Sequence, residues 1–164
     1  MRRYVTMGIV SVVVMAGLIA AWSQAREKLD DRAKAGEKAP DRDTKLLEGE
    51  WVVVSGEDDG VKAPANDVQG NKWLFKGSVI TAVVPDGTTS KMSFKVDAGK
   101  KPKEIDVTPL DGPFKGKVQV GIYELDEGRL RVCLRDQMVK KGRPTEFATT
   151  EGSGLTMITF EKKR

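Results

Sequence analysis

The side chains best able to do chemistry in this chain are acidic. Asp58 and Asp59, Asp106 and Asp111, Asp126 and Glu127, and Glu146 are of the type that supplies a general acid and a general base, or oxygen ligands for a hard cation. Their setting argues for turns instead. Asp58-Asp59-Gly60, Asp86-Gly87, Asp111-Gly112 and Asp126-Glu127-Gly128 each place a carboxylate beside glycine, and none has EF-hand spacing. The chain has no His, which removes Ser-His-Asp triads, Cys-His dyads and imidazole metal sites together. Its lone Cys133 forbids an internal disulfide and a thiolate-rich metal cage. Gly152-Ser153-Gly154 lacks the Lys and following helix of a phosphate-binding loop, and Ser153 has no His to activate it. Lys100, Lys101 and Lys103, with Lys140, Lys141 and Arg143, would attract an anionic partner if they shared one rim; the plainer reading is solvated turns. The sequence therefore predicts a protein that is not an enzyme and carries no metal or cofactor.

The elements that would hold these residues are strands. In Lys91 to Asp97 the apolar set is Met92, Phe94 and Val96, and in Arg129 to Arg135 it is Leu130, Val132 and Leu134, the period of two that marks a half-buried strand. This alternation puts Cys133 on the polar face. Further strands are predicted at Glu50 to Ser55, Lys72 to Lys76, Ser78 to Val84, Glu104 to Pro109, Lys117 to Leu125, Thr145 to Thr149 and Leu155 to Lys162. Pro144-Thr145-Glu146 would open one of them, its Pro where no ladder donor is needed. Pro85-Asp86-Gly87, Asp126-Glu127-Gly128 and Lys76-Gly77-Ser78 read as tight reversals between antiparallel neighbours. One short helix fits, at Ala63 to Gln69. With no long stripe of helical period, the fold class is all-β, an antiparallel barrel of about 8 or 9 short strands, because closure hides the sheet edges.

Two segments precede this domain. Residues 1–25 pair Arg2 and Arg3 with the uncharged run Tyr4 to Gln24 and end on small residues, as an export signal does. The same 21 residues at about 1.5 Å each would also cross an apolar core of roughly 30 Å, so a cleaved signal peptide and an uncleaved membrane anchor both fit. Either way the rest is exported, to the periplasm, the cell envelope or the medium. Residues 26–45 carry seven basic and six acidic residues and read as a charged flexible linker. The remainder, 46–164, is nearly neutral, with 19 basic and 18 acidic residues and no basic stripe interleaved with aromatics, which excludes nucleic acid as a partner.

Leu47-Glu48-Gly49-Glu50-Trp51 contains a Gly-x-Trp run at the start of the first strand, and LEGEWVVVS (47–55), KPKEID (101–106), TPLDG (108–112), GIYEL (121–125), RPTEF (143–147) and GSGL (152–155) follow in order. Together they resemble the lipocalin-like domain of unknown function that recurs in planctomycete proteins, often behind an export segment. The resemblance spans Leu46 to Lys163 and implies a cup-shaped barrel with Trp51 plugging its closed end, and no assigned chemistry. The Arg that usually partners this Trp from the last strand has no match; Glu161-Lys162-Lys163-Arg164 lies too late. The candidate cavity-lining, ligand-binding residues are Trp51, Trp73, Phe75, Phe94 and Tyr123, whose alternative role is to fill the interior. Two functions stay open: an exported binding module for a small apolar or amphipathic ligand, or a solid-core interaction domain contacting another envelope protein. A membrane would be a partner only through residues 4–24. A carboxylate-based enzyme is a distant third.

Overall fold

The structure is a computed structural model and describes residues 42–139 and 141–164. The signal or anchor at 1–25, most of the linker, and Lys140 lie outside the described residues. Residues 42–47 are helical (α1) and lead into β1 (Gly49–Asp58). A short β2 (Val61–Lys62) and α2 (Ala65–Val68) follow. The remaining strands are β3 (Lys72–Lys76), β4 (Val79–Val83), β5 (Thr89–Asp97), β6 (Lys103–Pro109), β7 (Gln119–Asp126), β8 (Arg129–Arg135) and β9 (Leu155–Lys162).

All pairings are antiparallel, and neighbours in the sheet are neighbours in the chain: β1-β3-β4-β5-β6-β7-β8-β9, with β9 returning to β1. That is a closed eight-stranded meander with β2 as an extra strand on β1. Closure depends on β1. It pairs with β3 through residues 49–52 and with β2 through 57–58, while β9 runs along most of its length, from Trp51↔Lys162 to Asp58↔Thr156. The register slips between Val53 and Ser55, so Val54 is an extra residue, a bulge of the kind that lets a long strand bend around a barrel.

The alternation read from the sequence becomes inside and outside. Trp51, Phe75, Ile80, Phe94, Ile105, Val107, Tyr123, Leu130, Val132 and Phe160 point inward and are buried. Ring contacts fill the lumen: Trp73 lies 4.8 Å from Phe160 and 6.0 Å from Phe75, and Phe75 meets Phe94 edge-on at 5.2 Å. The interior is packed rather than hollow, one of the two outcomes open to eight-stranded barrels of nearly equal diameter.

Three expectations change. Thr145 to Thr149 is not a strand: β8 and β9 pair directly from Arg129↔Glu161 to Arg135↔Leu155, so the chain between them cannot enter the sheet. It crosses the outer wall instead, and Phe147 packs there on Ile122, Cys133 and Leu155. The same cover corrects the reading of Cys133. Its side chain points outward as predicted, yet it is fully buried beneath this second apolar cluster. Finally, the expected linker does not stay solvated to its end, because residues 42–45 belong to α1 and Asp43 is 6% exposed. The short helix predicted at 63–69 is present as α2.

Arg143 and the glycine at 121 show why the outer segment sits where it does. The Arg143 guanidinium donates to the carbonyls of Ile105 (3.0 Å) and Gly121 (2.6 Å) and pairs with Asp106 at 2.7 Å and Glu104 at 3.4 Å. At Gly121 an added Cβ would stand 2.5 Å from the Cys133 carbonyl oxygen, so only glycine allows β7 and β8 to approach this closely.

Candidate functional site

α1 closes one end of the barrel. The Trp51 indole Nε1 donates to the Leu47 carbonyl at 2.6 Å, and both side chains are buried. Lys162, the register partner of Trp51 on β9, holds its ammonium 5.1 Å from the indole ring and donates to the Leu46 carbonyl at 2.8 Å. The last strand therefore does partner Trp51, through Lys162; the sequence missed it because the bulge at Val54 shifts the β1–β9 register. Beside this plug, Asp43 accepts hydrogen bonds from the Tyr123 hydroxyl (2.7 Å) and from Lys103 Nζ (2.7 Å). Burial, and then the Asp43 carboxylate, push the Tyr123 phenol well above its ordinary value. Tyr123 is thus a neutral, fully engaged donor in the floor of the barrel.

The acidic candidates are spread over the surface and bound to their own turns. The type of turn at Asp59-Gly60 needs positive φ at both positions, 53° and 86°, which an Asp-Gly pair supplies. Asp59 then accepts from the backbone N–H groups of Gly154 (2.7 Å) and Gly152 (3.0 Å) and from the Ser153 hydroxyl (3.1 Å). These donors, Gly154 first, hold its carboxyl below the usual range. Gly152-Ser153-Gly154 is accordingly an anion nest occupied by the protein's own side chain. Asp58 accepts from the Thr156 hydroxyl, Asp106 pairs with Arg143, and Asp111 accepts from Ser90 Oγ and Lys91 N. Asp126, Glu127 and Glu146 are exposed. The basic candidates are likewise parted: Lys103 serves Asp43, Lys141 Nζ donates to the Gly152 carbonyl, and Arg143 spans β6 and β7.

The five candidate cavity residues do not line one cavity. Trp51 and Tyr123 belong to the closed end, and Phe75 and Phe94 are packed in the core. Phe94 also edges a pocket of about 250 Å³ with Ser93, Thr108 and Val118, and Trp73 borders an apolar hollow, of about 250 Å³, at the other end of the barrel. Its walls are the inward-facing Val53, Trp73, Ala82 and Ile158, with Val68 of α2 as a partial lid. Asn71 also lines it and is fixed by three hydrogen bonds: its N–H to the Val68 carbonyl (3.2 Å), its carbonyl from Val53 N–H (2.9 Å), and its Nδ2 to the Asp67 carbonyl (2.6 Å). Its remaining atom, Oδ1, is buried with no donor among the described residues. No sequence signal distinguished Asn71, since Gly70-Asn71 reads simply as a turn before β3. A wider groove of about 420 Å³ is lined by Lys100, Lys101, Lys103, Tyr123, Glu124 and Phe147; there Glu124 is paired with Arg131 at 2.5 Å.

The fold and the hollow define a closed up-and-down antiparallel barrel with an apolar hollow at the α2 end. No family model, curated protein or solved structure matches the chain.

Proposed function

We propose that this barrel is a non-catalytic binding module that takes a small apolar or amphipathic molecule at its mouth. The observation that carries the reading is the 250 Å³ hollow, walled by Val53, Trp73, Ala82 and Ile158 and open beside α2. It falls below the ~300 Å³ of pockets for drug-sized ligands, while a dry cavity of about 150 Å³ suffices for benzene, so a single ring with a short substituent is the right size. Apolar walls bind by burial, and Trp73 offers a ring face that Phe160 already holds in place at 4.8 Å. Titrating toluene into the full chain, followed by amide NMR shifts, should give saturable changes at Trp73, Ala82 and Ile158. Ala82→Trp, which fills the hollow, should abolish them. Unsaturable or scattered shifts would remove the reading.

A second reading, a solid-core interaction domain, is favoured by the packed rings of Trp73, Phe75, Phe94 and Phe160. Co-purification of a stoichiometric envelope protein from the native host, surviving Ala82→Trp, would support it; the barrel recovered alone would count against it. We also take the barrel to be exported, on the strength of the uncharged run at residues 4–24. Protease accessibility of the barrel in intact spheroplasts tests this, and full protection would contradict it.

A further inference from the structure

We propose that the α2 end of the barrel is a membrane contact, distinct from residues 4–24, at which exposed apolar turns enter the interfacial layer of a phospholipid bilayer. The ground is where the exposed apolar side chains stand. Antiparallel pairing puts the β3–β4, β5–β6 and β7–β8 turns at the α1 end, and the β1–β3, β4–β5, β6–β7 and β8–β9 connections at the α2 end. The three turns at the α1 end, residues 77–78, 98–102 and 127–128, contain no large apolar side chain. The α2 end carries six that are exposed: Val61 (71%), Val84, Leu110, Phe114, Val118 and Met138 (64%). Leu46 of α1, with Val54 and Leu74 on the wall, are the other exposed ones among the described residues. Single exposed apolar residues are ordinary, but six gathered on the connections of one end mark an interaction surface.

The chemistry beside these tips fits lipid. They come from four separate connections, and a fluid interface takes separate side chains where a protein partner would need one matched surface. The neighbouring carboxylates are folded back onto the turns. Asp59, Asp86, Asp111 and Asp136 each stand within two residues of a tip, and each accepts a backbone N–H, from Gly154 (2.7 Å), Thr88 (2.7 Å), Lys91 (3.1 Å) and Met138 (2.7 Å) respectively. The ammonium groups are not so engaged. Lys62 follows Val61, Lys115 follows Phe114, and Lys117 holds its Nζ 5.6 Å from the Phe114 ring, with no ion pair to any of the three among the described residues. Such lysines lay their stems along apolar contacts and reach lipid phosphate with their heads. Where residues 4–24 stay in a membrane, residues 25–41 extend to roughly 55 Å at about 3.3 Å each. The ten residues of β1 span only ~33 Å, so a tether leaving from α1 does not keep the α2 end from the same bilayer. The contact needs no ligand in the hollow.

The test is NMR of the full chain in bicelles of phosphatidylcholine and phosphatidylglycerol, three parts to one, with and without a nitroxide on the lipid headgroup. The readout is local, so insertion of residues 4–24 does not mimic it. Amide signals of Val61, Val84, Phe114 and Met138 should broaden about fivefold more than those of Gly77, Gly99 and Gly128, since an interfacial contact holds its apolar side chains within ~5–10 Å of the headgroup boundary. Phe114→Ser, at an exposed turn, should at least halve the broadening over residues 110–118 and leave the urea midpoint unchanged. Equal broadening at the two ends, or more at the α1 end, would overturn the proposal. Broadening at neither end would overturn it as well and leave the tips to a protein partner. The comparison of the two ends needs no variant, so it stands even where Phe114→Ser disturbs the loop.

Discussion

Asp43 offers the sharpest quantitative handle on how α1 is attached to the barrel. Its carboxylate receives the Tyr123 hydroxyl and the Lys103 ammonium, each at 2.7 Å, and Tyr123 is 1% exposed. Removing the acceptor by Asp43→Ala strands a buried hydroxyl, which costs about 1 to 3 kcal/mol. The Lys103 contribution should be small, since its side chain is 37% exposed and returns to water. Tyr123→Phe deletes the donor and leaves Asp43 with Lys103, for a loss of about 1 to 2 kcal/mol. In the double variant no hydroxyl is stranded, so the two losses should fall short of adding by about 1 kcal/mol or more. Urea unfolding of the full chain and the three variants, read from m-values that stay constant, measures this coupling. Additivity to within ~0.3 kcal/mol would show that the bond contributes nothing and that α1 is held by its other contacts, at Leu46 and Leu47.

Three further outcomes are expected. Trp51→Ala should lose about 3 to 5 kcal/mol by denaturant unfolding, as for any large buried ring, and a loss below about 1 kcal/mol would end its role as the plug. Cys133 should resist thiol reagents, because burial raises its thiol above the ordinary value and Phe147 covers it. Phe147→Ala should speed labelling at least tenfold, whereas a fast reaction in the unaltered protein would contradict the cover. Because the Asp59 carboxyl is depressed by the N–H groups of Gly154 and Gly152, its contribution is present above the unfolded value near ~3.9 and is lost as pH falls through the folded one. Comparing Asp59→Asn with the unaltered chain by thermal melting should show the two converging below about pH 4; parallel curves would refute the nest.

What the sequence made legible was whatever is written locally. Met92, Phe94 and Val96 on β5, and Leu130, Val132 and Leu134 on β8, point inward as their alternation requires. The turns at Asp86-Gly87 and Glu127-Gly128 connect neighbours in the meander. What stayed hidden joins residues far apart in the chain. Asp43 reaches Tyr123 across 80 positions and Lys103 across 60, and no pattern near Asp43 marks it off from the charged stretch around it. Thr145 to Thr149 has the alternation of a strand, but its Phe147 serves the outer cover instead, a role decided by the direct pairing of β8 with β9. Lys162 escaped notice for a related reason, since one bulged residue on β1 changes what stands opposite Trp51. The candidate site was the least legible part. Four of its five proposed residues belong to the buried core, and Asn71, which lines the hollow, is fixed there by hydrogen bonds to the Val68 and Asp67 carbonyls that no local pattern announces.

The central claim is that the rings of this barrel occupy its lumen and leave an accessible apolar space at the mouth. A crystal structure of the full chain under xenon pressure tests it directly, because xenon settles in dry apolar voids. Xenon should appear between Trp73, Ala82 and Ile158; xenon among Phe75, Phe94 and Phe160, with none at the mouth, would show a hollow barrel instead.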